Sequence, residues 1–290
     1  MIDHSLPLFG DPPDDWQLPD DAPARLRDAE ITYKDSSSIL TKASGFMGEY
    51  DYTLNPYSGC EFGCTYCYAA FFTRDQEKQD SWGRWVVVKK NAIEKLRRMR
   101  TTLEGKKVYM SSVTDPYQGI EARLRLVRAI LSHIVPQQPR LVVQTRSALV
   151  KRDIDLFQAI DHVQVNMTVT TDNEDIRAAY EPNCAKIEQR LKAITEVAAS
   201  GVRCGITLTP LLPVADVEEF ATRLLDTGVS RFVVQPFHSE RGRFVAGTRE
   251  KAMDASRRLG WTDARYAEVL ERLQELIPGI QQGKDGFAPV

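Results

Sequence analysis

Three thiols set the chemistry open to this chain. Cys60, Cys64 and Cys67 fall in the run Asn55-Pro56-Tyr57-Ser58-Gly59-Cys60-Glu61-Phe62-Gly63-Cys64-Thr65-Tyr66-Cys67-Tyr68, with no fourth cysteine nearby. Structural zinc sites complete four protein ligands, and the two-cluster ferredoxin run also supplies a fourth cysteine. Three ligands describe an incomplete shell. On a four-iron cluster, three thiolates would leave one iron without a protein ligand and open to a small molecule. The same spacing would place all three on one helix face, where cysteine behaves as a small buried hydrophobe. Gly59 and Gly63 argue against that helix, since each glycine costs about 1 kcal/mol there relative to alanine.

Such a loop needs elements to hold it. Tyr52-Thr53-Leu54 predicts a first strand ending at the cysteines, and the segments Ser36 to Thr41 and Asp51 to Leu54 lead in and pair with the sheet. Trp85 to Val88 is short and strand-like. Asn91 is placed to cap an amphipathic helix over Ala92 to Leu103, with Ile93, Leu96, Met99 and Leu103 on one face. Strands over Val108–Val113, Leu141–Thr145, Val163–Thr170, Arg203–Leu208 and Phe232–Gln235 then alternate with helices over Ala122–Ile134, Arg152–Ile160, Ala185–Ala199 and Val217–Leu225. Repeated strand-then-helix units imply a parallel sheet, so the expected fold is α/β, a partial (β/α)6 TIM-type barrel. Residues 46–240 form that barrel in this reading. Residues 1–45 are an extension whose Pro- and Asp-rich first 30 residues form an extended or disordered tail. Residues 241–290, with a helix over Asp263 to Leu276, cap one end.

The chain has 290 residues, 42% of them hydrophobic, which suits a globular core. A net charge of −2 supplies no global positive field for nucleic acid. Five cysteines in this length are not a disulfide framework, and the start Met1-Ile2-Asp3-His4 lacks a basic and apolar leader. The expectation is a cytoplasmic protein with no membrane span.

The spacing Cys-x3-Cys-x2-Cys resembles the signature of the radical S-adenosylmethionine (SAM) enzymes. Within them the chain is similar to the branch containing spore photoproduct lyase and proteins named DNA repair photolyases. Asn55 to Cys60, Cys64 to Tyr68, Thr114-Asp115-Pro116-Tyr117, Thr145-Arg146-Ser147, and Glu181-Pro182 with Arg190 carry the likeness. The resemblance implies a [4Fe-4S] cluster on Cys60, Cys64 and Cys67, with SAM on the open iron, and a partial (β/α)6 barrel. It also implies a reducing partner such as flavodoxin or ferredoxin. Reductive cleavage of SAM would then yield a radical that abstracts hydrogen from a substrate, with a nucleic-acid lesion one candidate. The tyrosines that neighbour SAM in the lyase pattern match Tyr66 and Tyr68. Two positions depart from the pattern. Arg146 stands where lysine is frequent, and Ser112 stands where the lyase carries a cysteine hydrogen donor. A serine O–H is a far poorer hydrogen-atom donor than a thiol, so thymine-dimer repair by the lyase route is not expected.

Barrel active sites gather at the C-terminal ends of the strands. That rule makes Ser112, Thr114 and Asp115 candidate cofactor-binding residues after the second strand, against an ordinary turn in which Thr114 or Asp115 serves the backbone. Arg146 ends the third strand, where a guanidinium would pair with the SAM carboxylate. On the fourth strand, Asn166, Thr168 and Thr170 form a polar row that needs partners, either a ligand or neighbouring side chains. Glu181 and Arg190 are expected to pair and shape a loop. His238 would be a lone loop histidine, Cys204 is core, and Cys184 has no assigned part. The basic stretch Lys89 to Arg100 is a solvated helix face or a phosphate contact. The competing class is a non-catalytic barrel binding an iron–sulfur cluster or zinc.

Overall fold

The computed structural model describes residues 16–237, 248–283 and 287–290. In chain order the strands are β1 (Arg25–Leu26), β2 (Ala29–Lys34), β3 (Leu40–Lys42), β4 (Tyr52–Leu54), β5 (Tyr57–Gly59), β6 (Trp85–Lys89), β7 (Lys107–Met110), β8 (Arg140–Thr145), β9 (Val163–Thr168), β10 (Arg203–Leu208), β11 (Arg231–Val234) and β12 (Gln281–Gln282). The helices are α1 (Gln76–Asp80), α2 (Ala92–Arg97), α3 (Glu121–Leu124), α4 (Leu126–Ile134), α5 (Ile154–Gln158), α6 (Glu174–Tyr180), α7 (Ile187–Ala199), α8 (Val217–Leu225), α9 (Glu250–Arg258) and α10 (Asp263–Leu276).

The main sheet has eight strands in the order β12-β11-β10-β9-β8-β7-β4-β3 among the described residues. From β4 through β11 every neighbouring pair is parallel, while β3 runs antiparallel to β4. These six parallel strands and the helices between them form the partial (β/α)6 barrel, and the sheet stays open between its edges β3 and β12. Parallel strands covered by helices are buried on both faces, so they carry near-continuous apolar runs. Val163, Val165 and Met167 of β9 and Leu141 and Val143 of β8 pack with Ile130, Phe157, Leu191 and Ile194 in one core.

The polar row on β9 is satisfied by its neighbours. Gln144 Nε2 donates to Thr168 Oγ1 at 2.8 Å and to Thr207 Oγ1 at 2.9 Å, while Gln164 Nε2 donates to Asn166 Oδ1 at 2.7 Å. Side chains of β8 and β10 take up the hydroxyl of Thr168, which also borders the space at the strand ends.

A second, four-stranded sheet, β1-β2-β6-β5, holds the entry to the cysteine loop. The loop does not follow β4 directly: β5 intervenes, pairs antiparallel with β6, and hands the chain to Cys60. The expected tail ends sooner than residue 30, because β1 and β2 are built and β2 pairs parallel with β6. Alternating Ala29 and Ile31, both buried, anchor β2 where Pro and Asp no longer dominate.

Several expected elements are shorter. The strands predicted to Val113 and Thr170 stop at Met110 and Thr168. The helix from Ala92 stops at Arg97, where Arg97, Arg98 and Arg100 set like charges a turn apart and β-branched Thr101 and Thr102 follow. Asn91 precedes that helix without capping it, because its side chain instead accepts from Ser36 N at 2.8 Å. The helix over Ala122 to Ile134 is broken at Arg125, which is left-handed at φ 51°. The one over Arg152 to Ile160 begins as a 3₁₀ turn over Ala148–Asp153. α10 packs on α8 through buried Leu273 and an Arg272–Glu218 bond of 2.8 Å. Phe287 and Val290 join Tyr50, Tyr109, Val142 and Val233 in a separate apolar cluster.

Candidate active site

The strand ends enclose one cavity of about 550 Å³. Asn55 after β4, Ser111 to Asp115 after β7, Gln144 to Arg146 at the end of β8, Thr168 on β9, Thr209 and Pro210 after β10, and Gln235 to Phe237 after β11 all line it. Cys60, Cys64, Cys67, Tyr66 and Tyr68 form the facing wall. Every candidate cofactor-binding residue named from the sequence, namely Tyr66, Tyr68, Ser112, Thr114, Asp115, Arg146 and Thr168, therefore borders the same space as the three cysteines. His238 lies outside the described residues.

The cysteine loop is not helical. Gly59 sits at φ +75° under the Trp85 ring, so close that a Cβ would lie 2.5 Å from it. Gly63, at φ +60°, packs backbone to backbone on Gly83. Only glycine accepts both the positive φ and the close approach. Tyr57, fully buried, fastens β5 by donating to Glu121 Oε2, itself paired with Arg152 at 2.6 Å.

All three loop cysteines are free, and Cys60 and Cys64 are buried. Burial first, then the fields of Asp115, Cys64 and Cys67, push the Cys60 thiol well above its usual range. Burial and Cys64 carry Cys67 up to about 11. Cys64 goes the other way, lowered foremost by a hydrogen bond from Cys184 and further by Arg146, against the effect of burial. The two sulfurs of Cys64 and Cys184 lie 3.6 Å apart. The fifth cysteine, Cys204, packs in the main core.

Around the thiols runs a buried charged network. Arg190 and Glu181, both with fully buried side chains, pair at 2.5 Å. Tyr66 donates its hydroxyl to Glu181 Oε1, as does Thr170 at 3.1 Å. Arg146 stands 4.0 Å from the same carboxylate and over the Tyr66 ring at 5.8 Å. Burial alone pushes Glu181 up, but Arg190 and then Arg146 outweigh it, and the carboxyl ends below its usual range. The Arg146 Nε is buried and makes no hydrogen bond, facing Glu181 Oε1 at 4.0 Å, while the residue itself lines the cavity.

The loop after β7 is held by its own chain. Asn55 Oδ1 accepts from Ser112 N at 3.0 Å and Val113 N at 3.2 Å, and Tyr68 donates to Ser112 O. Thr114 Oγ1 donates to Gly59 O at 2.6 Å. Asp115 accepts from Tyr117 N, Thr145 Oγ1 and Arg146 N at 2.9, 2.7 and 2.9 Å. Thr114 and Asp115 line the cavity and also brace it, Asp115 serving its own turn through Tyr117 N and tying the loop to Thr145 and the backbone of Arg146. Asn55 belongs to the same strand-end rule and was open to it. Phe46 and Phe287, which also line the cavity, come from segments outside the six repeats and gave no such signal.

The donor set suits an iron–sulfur cluster: three thiols outside any disulfide on one wall, a cationic Arg146 beside them. Among the described residues no three His, Cys, Asp or Glu side chains are grouped around a single ion position. A cluster makes a different demand, because each thiolate takes a separate iron.

An open (β/α)6 barrel with a three-cysteine loop at the C-terminal mouth is the architecture these features define. The radical SAM superfamily profile matches residues 54–226, and the chain belongs to that family. An uncharacterized protein of Methanocaldococcus jannaschii is 34% identical over 168 residues, covering 58% of this chain and 63% of that protein. An uncharacterized protein of Mycobacterium tuberculosis is 28% identical over 240 residues, 78% of this chain and 66% of its own length. The chain thus spans just under two thirds of these relatives. A spore photoproduct lyase carrying a cysteine-to-serine mutation superposes with a TM-score of 0.60 at 15% identity, over 87% of this chain and 81% of that one. Another, with bound SAM and dinucleoside spore photoproduct, gives 0.58 at 14% identity over the same shares. At such identities the likeness is one of fold. No helix among the described residues is long and apolar enough to cross a membrane.

Proposed function

We propose that the chain is a radical SAM enzyme, with a [4Fe-4S] cluster on Cys60, Cys64 and Cys67 and SAM bound in the adjoining cavity. The observation that carries this is the meeting of three free thiols and the polar strand ends on one space. A cluster held by Cys60, Cys64 and Cys67 would supply the electron for reductive cleavage of SAM. Arg146, on the cavity wall, offers its permanent charge to the SAM carboxylate. Asp115 and Thr114 hold the loop that aims it, Tyr66 and Tyr68 flank the ligand, and Ser112 and Thr168 border it.

The substrate in this reading carries a planar base, as a nucleic-acid lesion does. Phe46, Tyr68 and Phe72 line the cavity with 44%, 38% and 44% of their surface exposed, a rim on which bases stack. α2, with the basic residues singled out from the sequence, gives nothing to the cavity wall, and Arg98 pairs with Glu94 at 2.8 Å. Five free cysteines suit a cytoplasmic enzyme reduced by a flavodoxin or ferredoxin.

Anaerobic reconstitution tests the reading: about four irons per chain, and 5′-deoxyadenosine after reduction with SAM present. Cys60→Ala should lose both. A wild-type chain that holds one zinc and no SAM would overturn the proposal in favour of a non-catalytic metal-binding barrel.

A further inference from the structure

We propose that Cys184 is a positioning residue for the cluster, donating its S–H to the Cys64 sulfur and so favouring the reduced state. The inference rests on the cluster reading above and concerns a residue with no other assigned part. The Sγ atoms of Cys64 and Cys184 are 3.6 Å apart, within reach of a sulfur hydrogen bond, and both residues are buried. A cysteine that ligates iron has no proton, so Cys64 is the acceptor and Cys184 the donor.

The loop carrying Cys184 is stapled to the cysteine loop. Thr65 N donates to Tyr180 O at 2.8 Å, and Asn183 Nδ2 to Glu61 O at 2.8 Å. Arg177 Nη1 clamps the Glu181 and Cys184 carbonyls at 3.0 and 3.3 Å. The Cys184 sulfur is thereby held against Cys64 by contacts on either side of it. Cys184 is not part of the cavity wall, so its reach is to the ligand sulfur rather than to substrate. Cys204 shows the contrasting case, its thiol spent on Val202 O at 3.2 Å in the core. Hydrogen bonds to cluster sulfurs are among the determinants of cluster potential, because they stabilise the more negative reduced form.

The test compares wild type with Cys184→Ala, Cys184→Val and Cys184→Ser, reconstituted anaerobically without SAM. Iron per chain is measured first, then the midpoint potential by a dithionite titration followed by electron paramagnetic resonance. Equal iron content is expected. At the wild-type midpoint the ratio of reduced to oxidised cluster should fall about two- to tenfold in the Ala and Val variants, the range one hydrogen bond supplies. The Ser variant, which keeps an O–H donor, should return most of the shift. Unchanged potentials in Ala and Val, or a Ser variant as displaced as Ala, would overturn the hydrogen-bond role while leaving the cluster reading intact. Should Ala fail to fold, the Val and Ser pair decides. A wild-type chain without iron sinks the cluster reading itself, and this inference with it.

Discussion

Replacing Glu181 with glutamine removes one charge and almost no volume from an ion pair whose two side chains are both fully buried. Arg190 keeps its bonds to Ala185 O at 2.9 Å and Thr168 O at 3.2 Å, but its charge loses the carboxylate 2.5 Å away. The amide cannot accept on both sides: its NH₂ must face donors, either on Arg190 or on Tyr66 and Thr170. Breaking a buried pair from one side costs about 3–5 kcal/mol, because the remaining charge stays in a medium that solvates it poorly. With a urea slope of about 3 kcal/mol/M, the midpoint should fall by about 1–1.7 M. Equilibrium unfolding of the cluster-free chain, followed by tryptophan fluorescence, measures it. The double variant Glu181→Gln/Arg190→Met, which removes the stranded Arg190 charge and keeps an acceptor for Tyr66 and Thr170, should return part of the lost stability. A single-variant loss below about 1 kcal/mol, or a double variant worse than the single, would refute the view that an uncompensated arginine is the cause.

The same carboxylate predicts a pH dependence. Its folded pKa lies below its unfolded value, so its stabilisation is present above about pH 4.5 and is lost as pH falls through the folded pKa. Glu181→Gln should flatten the acid limb of stability against pH, and an unchanged slope would show that other carboxylates govern it. Gly83→Ala places a Cβ 2.7 Å from the Gly63 Cα at φ +102°, backbone against backbone. It should lower iron uptake on reconstitution as the cysteine loop shifts, and full loading would contradict the packing argument. Asn55→Ala leaves the amides of Ser112 and Val113 without their acceptor, about 1–3 kcal/mol for each that stays dry. Thermal unfolding should show that loss, with weaker SAM binding by calorimetry.

The helix ends and the tail illustrate why local patterns carry only so far. Strand and helix periods are short-range properties, so β10 over Arg203–Leu208 and α8 over Val217–Leu225 sit where alternation and amphipathicity put them. Ends depend on competition: Asn91 had a cap's identity, but Ser36 offered its side chain a better-placed backbone partner. Nothing local joins β1, β2, β5 and β6 into one sheet, because they come from separate stretches of the chain and pair only in the fold.

From the sequence alone came the three-thiol loop, the six strand-and-helix units, the strand ends that border the cavity, and the Glu181–Arg190 pair. These follow from residue spacing and the two periods of regular backbone, which need no knowledge of the rest of the chain. The tertiary structure alone decided that Gln144 would satisfy Thr168, that Phe46 and Phe287 would reach the cavity from outside the repeats, and that Cys184, 120 residues away, would rest against Cys64. Loop closure brings such groups together, and nothing in local sequence records the distance at which a folded chain meets itself.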